Sequence, residues 1–215
     1  MNRLKDTIKI ISFDADGTLV DPEYNDLIWF KEIPQLIARK RNISFEDAKK
    51  TALKEYNDLG KDNLNWYDIN YWISYFALEI SPNKILEKYE PQVQIYPEVI
   101  PLLEELKKNF ILIVITAMPR EVLIPKMKNL EKHFKFTFSA ISDFKELKNT
   151  VIYSKITKML NVSPEQILHI GDNWKFDYLA ARKAGLNALY LDRNNIKKEK
   201  HIINNLGEVN KIIRQ

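Results

Sequence analysis

Apolar residues follow two rhythms along this chain. Short runs rich in Ile, Val and Phe occur at Ile8–Phe13, Phe110–Ile115, Phe134–Phe138, Ile167–Ile170 and Ala188–Leu191. Most are continuous rather than alternating, as expected of strands buried on both faces. Between the later runs the spacing becomes helical. Val99, Leu102, Leu103 and Leu106 recur at i, i+3, i+4, i+7, and Ile152, Ile156, Met159 and Leu160 follow a similar stripe. Ser163-Pro164-Glu165 opens a short helical turn with a capping residue and a first-turn proline. Gly185, after Ala180-Ala181-Arg182-Lys183-Ala184, reads as a helix stop. Strands and helices that alternate over short links predict a parallel sheet with right-handed crossovers.

The stretch from about Pro22 to Gln94 differs, because no strand pattern occurs in it. Ser44-Phe45-Glu46-Asp47 predicts a capping box that opens a helix through Ala48, Ala52 and Tyr56. Trp66, Ile69, Ile73, Phe76, Ala77 and Ile80 form a second apolar stripe. The expected organisation is an α/β parallel-sheet core over residues 1–21 and 95–215, with an all-helical insertion over 22–94. Asp21-Pro22 and Tyr96-Pro97 are its expected hinges. The tail from Ile202 to Ile213 is apolar enough to dock as a last strand or helix.

Composition narrows the function classes. The chain has 215 residues, 45% hydrophobic and 29% charged, which suits one globular core with an insertion. It contains no cysteine, which excludes disulfides, thiolate metal sites and a cysteine nucleophile. A cytoplasmic location is expected. No apolar run approaches a membrane span, and Met1-Asn2-Arg3-Leu4-Lys5 leads into no secretory signal pattern. The net charge of +4 is spread along the chain. Its clusters, Arg39-Lys40-Arg41 and Lys197-Lys198-Glu199-Lys200, read as solvated surface rather than a nucleic-acid interface.

The strand ends carry the chemistry. In open parallel sheets ligands sit beyond the carboxyl ends of the strands. The first expected strand ends in Asp14 and Asp16, the second in Thr116, and the fourth in Gly171-Asp172, with Asp177 five residues later. A parallel sheet would bring these four aspartates and the threonine together. Hard carboxylates without cysteine point to Mg²⁺ rather than zinc. A helix–loop–helix calcium loop starting at Asp14 fails, because Leu19 and Asn25 occupy its glycine and glutamate positions. Walker, dinucleotide and G-x-S-x-G signatures are absent.

FDADGTLVD (13–21), VITAM (114–118) and HIGDNWKFD (169–177), in this order, resemble the motifs of the haloacid dehalogenase-like (HAD) superfamily. The similarity extends to YPEVIPLLEELKKN (96–109) and DYLAARKAGLNALYLDR (177–193), and so covers nearly the whole chain. It implies a Rossmann-like core (1–21 and 95–215) with a helical cap (22–94) inserted after the first motif, and hydrolysis of phosphate esters through an aspartyl-phosphate. Asp14 would be the nucleophile and Asp16 the acid and base. Asp14, Asp172 and the Asp16 carbonyl would bind Mg²⁺, with Asp177 at the metal or positioning the lysine. Ala15, Gly17 and Ala117 would lie along the phosphoryl group, Thr18 would support the turn, and Thr116 would donate its hydroxyl to a phosphoryl oxygen. Lys148 is the expected cation, with Lys145 and Lys155 as rivals. Lys148-Asn149 departs from the usual Lys-Pro, and Ala117 stands where relatives often carry Asn.

The expected substrate is a small phosphorylated metabolite, with no nucleic-acid or membrane partner. Alternatives are a phosphomutase or phosphonate hydrolase, a 2-haloacid dehalogenase, or a non-catalytic binding module on this scaffold. A dehalogenase needs no acid two residues after its nucleophile, because halide leaves unprotonated. His169 reads as a packed core residue, and His133 and His201 form no constellation. The aromatic group around Trp66, Tyr67, Tyr71, Trp72, Tyr75 and Phe76 reads chiefly as core.

Overall fold

The computed structural model describes residues 7–196 and 201–214. The basic run at Lys197–Lys200 and the expected non-signal start at Met1–Lys5 lie outside them. Six parallel strands form one sheet: β1 (Ile10–Phe13), β2 (Ile111–Thr116), β3 (Phe136–Ser139), β4 (Ile167–Gly171), β5 (Asn187–Leu191) and β6 (Ile202–Ile203). Their order is β3-β2-β1-β4-β5-β6. The chain runs outward from β1 on one side and returns on the other, so β1 is the topological switch point. Phe13 pairs with both Val114 and Ile170, which places the residues after these three strands side by side.

Successive strand residues point to opposite faces. Ile11, Phe13, Val114, Leu168 and Ile170 join one buried cluster with Val99, Leu102 and Leu103 of α6 (Val99–Leu106). Ile10, Ile113, Ile115 and Ile167 join the other, with Ile152, Tyr153 and Ile156 of α9 (Thr150–Leu160). Both faces are therefore covered, as the run composition predicts. The exceptions are Phe136 on the edge strand β3 and Ile111, the first residue of β2, which are both exposed.

Between β1 and β2 come helices only: α1 (Glu23–Leu27), α2 (Ile33–Arg41), α3 (Phe45–Leu59), α4 (Ile69–Tyr75) and α5 (Pro82–Tyr89), then α6. A π turn, Ile28–Glu32, joins α1 to α2. Ser44 caps α3 by accepting from Asp47 N at 3.1 Å, and its hydroxyl donates to Asp47 Oδ2 at 2.7 Å. Ala48, Ala52 and Tyr56 form the buried face of α3. The second stripe is helical for less of its length than the pattern suggests. α4 ends at Tyr75, Ala77 takes a left-handed φ of 52°, and Leu78 N returns to Ile73 O at 2.8 Å. Trp72 fills the cap core, edge-on to Tyr56 at 4.6 Å and stacked near Phe76 at 5.7 Å.

Both connections out of the cap lie together. Val20 bridges Ile95, and Asp21 N donates to Gln94 O at 2.9 Å. After β2 come α7 (Arg120–Met127) and α8 (Ala140–Phe144), and α10 (Ala180–Lys183) follows a π turn at Trp174–Leu179. The tail docks as β6 and then α11 (Val209–Arg214). Among the described residues no helix is long and apolar enough to cross a membrane.

Candidate active site

Asp14 follows β1 directly, and its N–H donates to Ile170 O at 2.8 Å. The chain then turns sharply. Gly17 N donates to Val20 O at 2.8 Å, and Gly17 takes a φ of 70° that glycine adopts without a side-chain clash. A Cβ there would lie 2.3 Å from Asp172 Oδ2, so the turn packs its bare backbone against that carboxylate. Thr18 Oγ1 donates to Asp172 Oδ1 at 3.4 Å. Arg193, just past β5, holds the turn from outside. Its guanidinium donates to Gly17 O at 3.0 Å and Thr18 O at 2.7 Å, pairs with Glu98 at 2.7 Å, and lies 3.4 Å over the Tyr96 ring.

Lys148 is almost fully buried. Its Nζ lies 2.5 Å from Asp14 Oδ1 and also pairs with Asp177 Oδ1. It donates to Ile115 O at 3.3 Å as well. The next residue, Asn149, caps α9 by accepting from Val151 N and Ile152 N, which sets Lys148 at the mouth of that helix. Lys155 pairs instead with Glu146 at 2.6 Å on the surface, and Lys145 takes a left-handed turn at the end of α8.

Asp177 is fully buried. Its Oδ1 also meets His169 Nε2 at 3.1 Å, and its Oδ2 accepts from Asn173 N at 2.8 Å. His169 Nδ1 is in turn 2.8 Å from Ser12 Oγ. His169 is therefore buried, as its sequence context suggests, but it also braces Asp177. Nothing in an Ile-Leu-His-Ile run signals that partnership. Asp177 does not cap the following turn, because Asn173 does, accepting from Lys175 N and Phe176 N.

Burial sets the electrostatics. It pushes the Asp14 carboxyl up to about 8, with Lys148 opposing and Asp177 and Asp172 adding to the rise. It pushes Asp172 up to about 6, helped by Asp177. For Asp177 burial acts in the same direction, but Lys148 and His169 outweigh it and hold the carboxyl down to about 2. Burial works against the Lys148 charge, yet Asp14 and Asp177 leave that ammonium harder to deprotonate than an ordinary lysine.

Carboxylate oxygens of Asp14, Asp172 and Asp177 lie within 4.8 Å of one another. An all-oxygen cluster of this kind suits a hard divalent cation. The donor set fits such an ion best at Asp14 and Asp172, since both oxygens of Asp177 already have partners.

A cavity of about 380 Å³ opens over these groups. Asp14, Asp16, Thr116, Ala117, Lys148 and Asp172 line its floor, while Asn25, Trp29, Phe30, Trp66 and Tyr67 reach it from the cap helices. Ala15 is fully buried behind the floor, and Thr116 Oγ1 accepts from Met118 N at 3.3 Å. The aromatic group is thus divided: Trp72 and Phe76 are core, Tyr75 is exposed, and Trp66 and Tyr67 face the cavity. Two contributors carry no sequence motif. Asn25 donates to Asp16 Oδ2 at 2.7 Å, and Lys126 pairs with Asp16 Oδ1. The one trace of Lys126 is a lysine among the buried residues Val122, Leu123 and Met127 of α7.

A family model for haloacid dehalogenase-like hydrolases matches residues 8–185. The chain is similar to the GMP/IMP nucleotidase YrfG of Escherichia coli, 28% identical over 102 residues, which is 47% of this chain and 45% of the nucleotidase. The chain thus spans less than half the length of that relative. It is also similar to the glyceraldehyde 3-phosphate phosphatase of Pyrococcus furiosus, 26% identical over 85% of this chain and 80% of that protein. Among solved structures, a HAD phosphatase from Thermococcus onnurineus superposes with a TM-score of 0.86 at 27% identity, covering 96% of this chain and 98% of the other.

Proposed function

The chain belongs to the haloacid dehalogenase-like hydrolases, and from that premise we propose that it is a Mg²⁺-dependent phosphatase that hydrolyses a small phosphate ester through an aspartyl-phosphate. The observation that carries this reading is the pairing of a buried Asp14 with Lys148 at the cavity floor, with Asp16 close by on the same turn. Asp14 Oδ attacks phosphorus in line with the departing oxygen. Lys148 balances negative charge on the phosphoryl group, and Asp177 and His169 keep Lys148 in place. The Thr116 hydroxyl and the backbone around Ala15, Gly17 and Ala117 orient the phosphoryl oxygens. Asp16 gives a proton to the leaving oxygen and then takes one from the water that attacks the aspartyl-phosphate. Asp14, Asp172 and the Asp16 carbonyl would hold Mg²⁺, which when bound would neutralise charge between the two anions.

The cap side chains enclose the substrate and exclude water. The named relatives suggest two substrate sizes to try, a purine nucleotide and a triose phosphate. Asp16 supports a phosphatase over a dehalogenase, because halide departs without a proton. The test is hydrolysis of 4-nitrophenyl phosphate with Mg²⁺ and with EDTA, by the native chain and by Asp14→Asn. Metal-dependent turnover abolished by the substitution is expected. Turnover indifferent to both would overturn the mechanism, and chloride release from 2-chloro acids would favour the dehalogenase reading.

A further inference from the structure

Asp16 is held from two sides that differ in kind. Lys126 meets Oδ1 from inside the protein: its side chain has no exposed surface, it does not border the cavity, and its ammonium lies 5.4 Å over the Tyr24 ring. Asn25 meets Oδ2 from the cavity wall at 2.7 Å. The Asn25 amide is itself poorly satisfied, since its Oδ1 is buried without a partner among the described residues. An ammonium is costly to bury unless it is paired. Packing alone would be served by an apolar side chain beside Val122 and Met127. The lysine therefore needs the Asp16 Oδ1 atom, which accepts from the ammonium whether or not Oδ2 carries a proton.

We propose that Lys126 is a positioning residue for the acid–base group. It fixes Oδ1 so that Oδ2 faces the cavity, where the leaving oxygen of the substrate takes the place of the Asn25 amide. This rests on Asp16 acting as the acid, as argued above. In the step it serves, a carboxylate oxygen of Asp14 forms a bond to phosphorus. The bond from phosphorus to the leaving oxygen breaks, and its electron pair stays on that oxygen. Asp16 Oδ2 passes its proton to the same oxygen. The carboxylate left behind keeps Lys126 as its partner and is oriented to accept a proton from water in the next step. Lys126 and Asn25 thus have separate tasks, one permanent and one exchangeable.

Two aryl phosphates separate this from a packing role. 4-Nitrophenolate departs readily as an anion, whereas phenolate from phenyl phosphate benefits more from a proton. kcat/KM reports events only through the breaking of that bond, so the shared hydrolysis of the aspartyl-phosphate does not mask the difference. Lys126→Met is expected to lower kcat/KM for phenyl phosphate about ten-fold more than for 4-nitrophenyl phosphate, as Asp16→Asn should. In the Asp16→Asn background it should cause little further loss. Equal losses on both esters, or none, would overturn the proposal. A crystal structure of Lys126→Met with Asp16 unmoved would overturn it too, whatever the activity. Absence of turnover by the native chain on either ester would count instead against the phosphatase reading, and leaves that crystal structure to decide the role of Lys126.

Discussion

Asp177 touches Lys148 with the same oxygen that meets His169, so a buried cation stands between two carboxyl groups, one of which is braced from behind by a ring. Removing the cation leaves the buried Asp177 carboxylate without its main counter-charge, facing Asp14. Lys148→Met should therefore lower stability at pH 7 by about 3 kcal/mol or more. The loss should shrink as pH falls, because Asp177, which Lys148 holds down to about 2, then takes up a proton in place of its lost partner. Denaturant melts at pH 7 and at lower pH check this. The same substitution should lower kcat by about 10²–10³-fold.

Metal affinity should depend on pH. Burial raises Asp14 to about 8 and Asp172 to about 6, so protons compete for the oxygens that a divalent cation needs. Affinity for Mg²⁺ should rise with pH between about 6 and 8. Calorimetric titration at several pH values would show this as proton release on binding, and an affinity that is flat across the range would refute it.

Glu32 gives the cap an acid-sensitive contact. It is buried, accepts from Tyr89 at 2.7 Å and pairs with Lys88. Burial favours its neutral form, but the hydrogen bonds from Lys88 and Tyr89 outweigh that and lower its pKa. A carboxyl lowered on folding stabilises the fold above its unfolded pKa and loses that contribution as pH falls through the folded value. Glu32→Gln should cost about 1–2 kcal/mol at pH 7 and less near pH 3. A pH-independent cost in thermal melts would contradict this.

Ala77 holds a left-handed conformation that suits glycine better. Ala77→Gly should raise the stability of the cap by about 0.5–1 kcal/mol, the released strain exceeding the added chain entropy. A lowered melting temperature would refute that account.

Strand positions and carboxylate motifs were legible because both depend on local pattern. Ile167–Ile170 is buried on both faces and reads so, and Asp14 and Asp172 follow their strands at once. Strand edges were less legible. β1 begins at Ile10 rather than Ile8, and β3 begins at Phe136 rather than Phe134, because pairing with a neighbour decides where a strand starts. The end of α4 is not legible, because Trp66 to Ile80 keeps a helical stripe while the backbone reverses at Ala77. Lys126, Asn25 and His169 were invisible as site residues for a different reason. Lys126 lies 110 positions from Asp16, and no spacing rule spans that distance; Asn25 and His169 are only nine and eight positions from their partners, but the turns that bring each pair together follow no simple periodicity.

Arg193 has a consequence for how this protein is made. The turn after Asp14 is made well before β5, yet the guanidinium that fastens its carbonyls comes 176 positions later than Gly17. A contact of such sequence separation forms only after most of the intervening chain is ordered. That early turn is thus among the last parts of the site to be finished, and β5 must dock before it is secured.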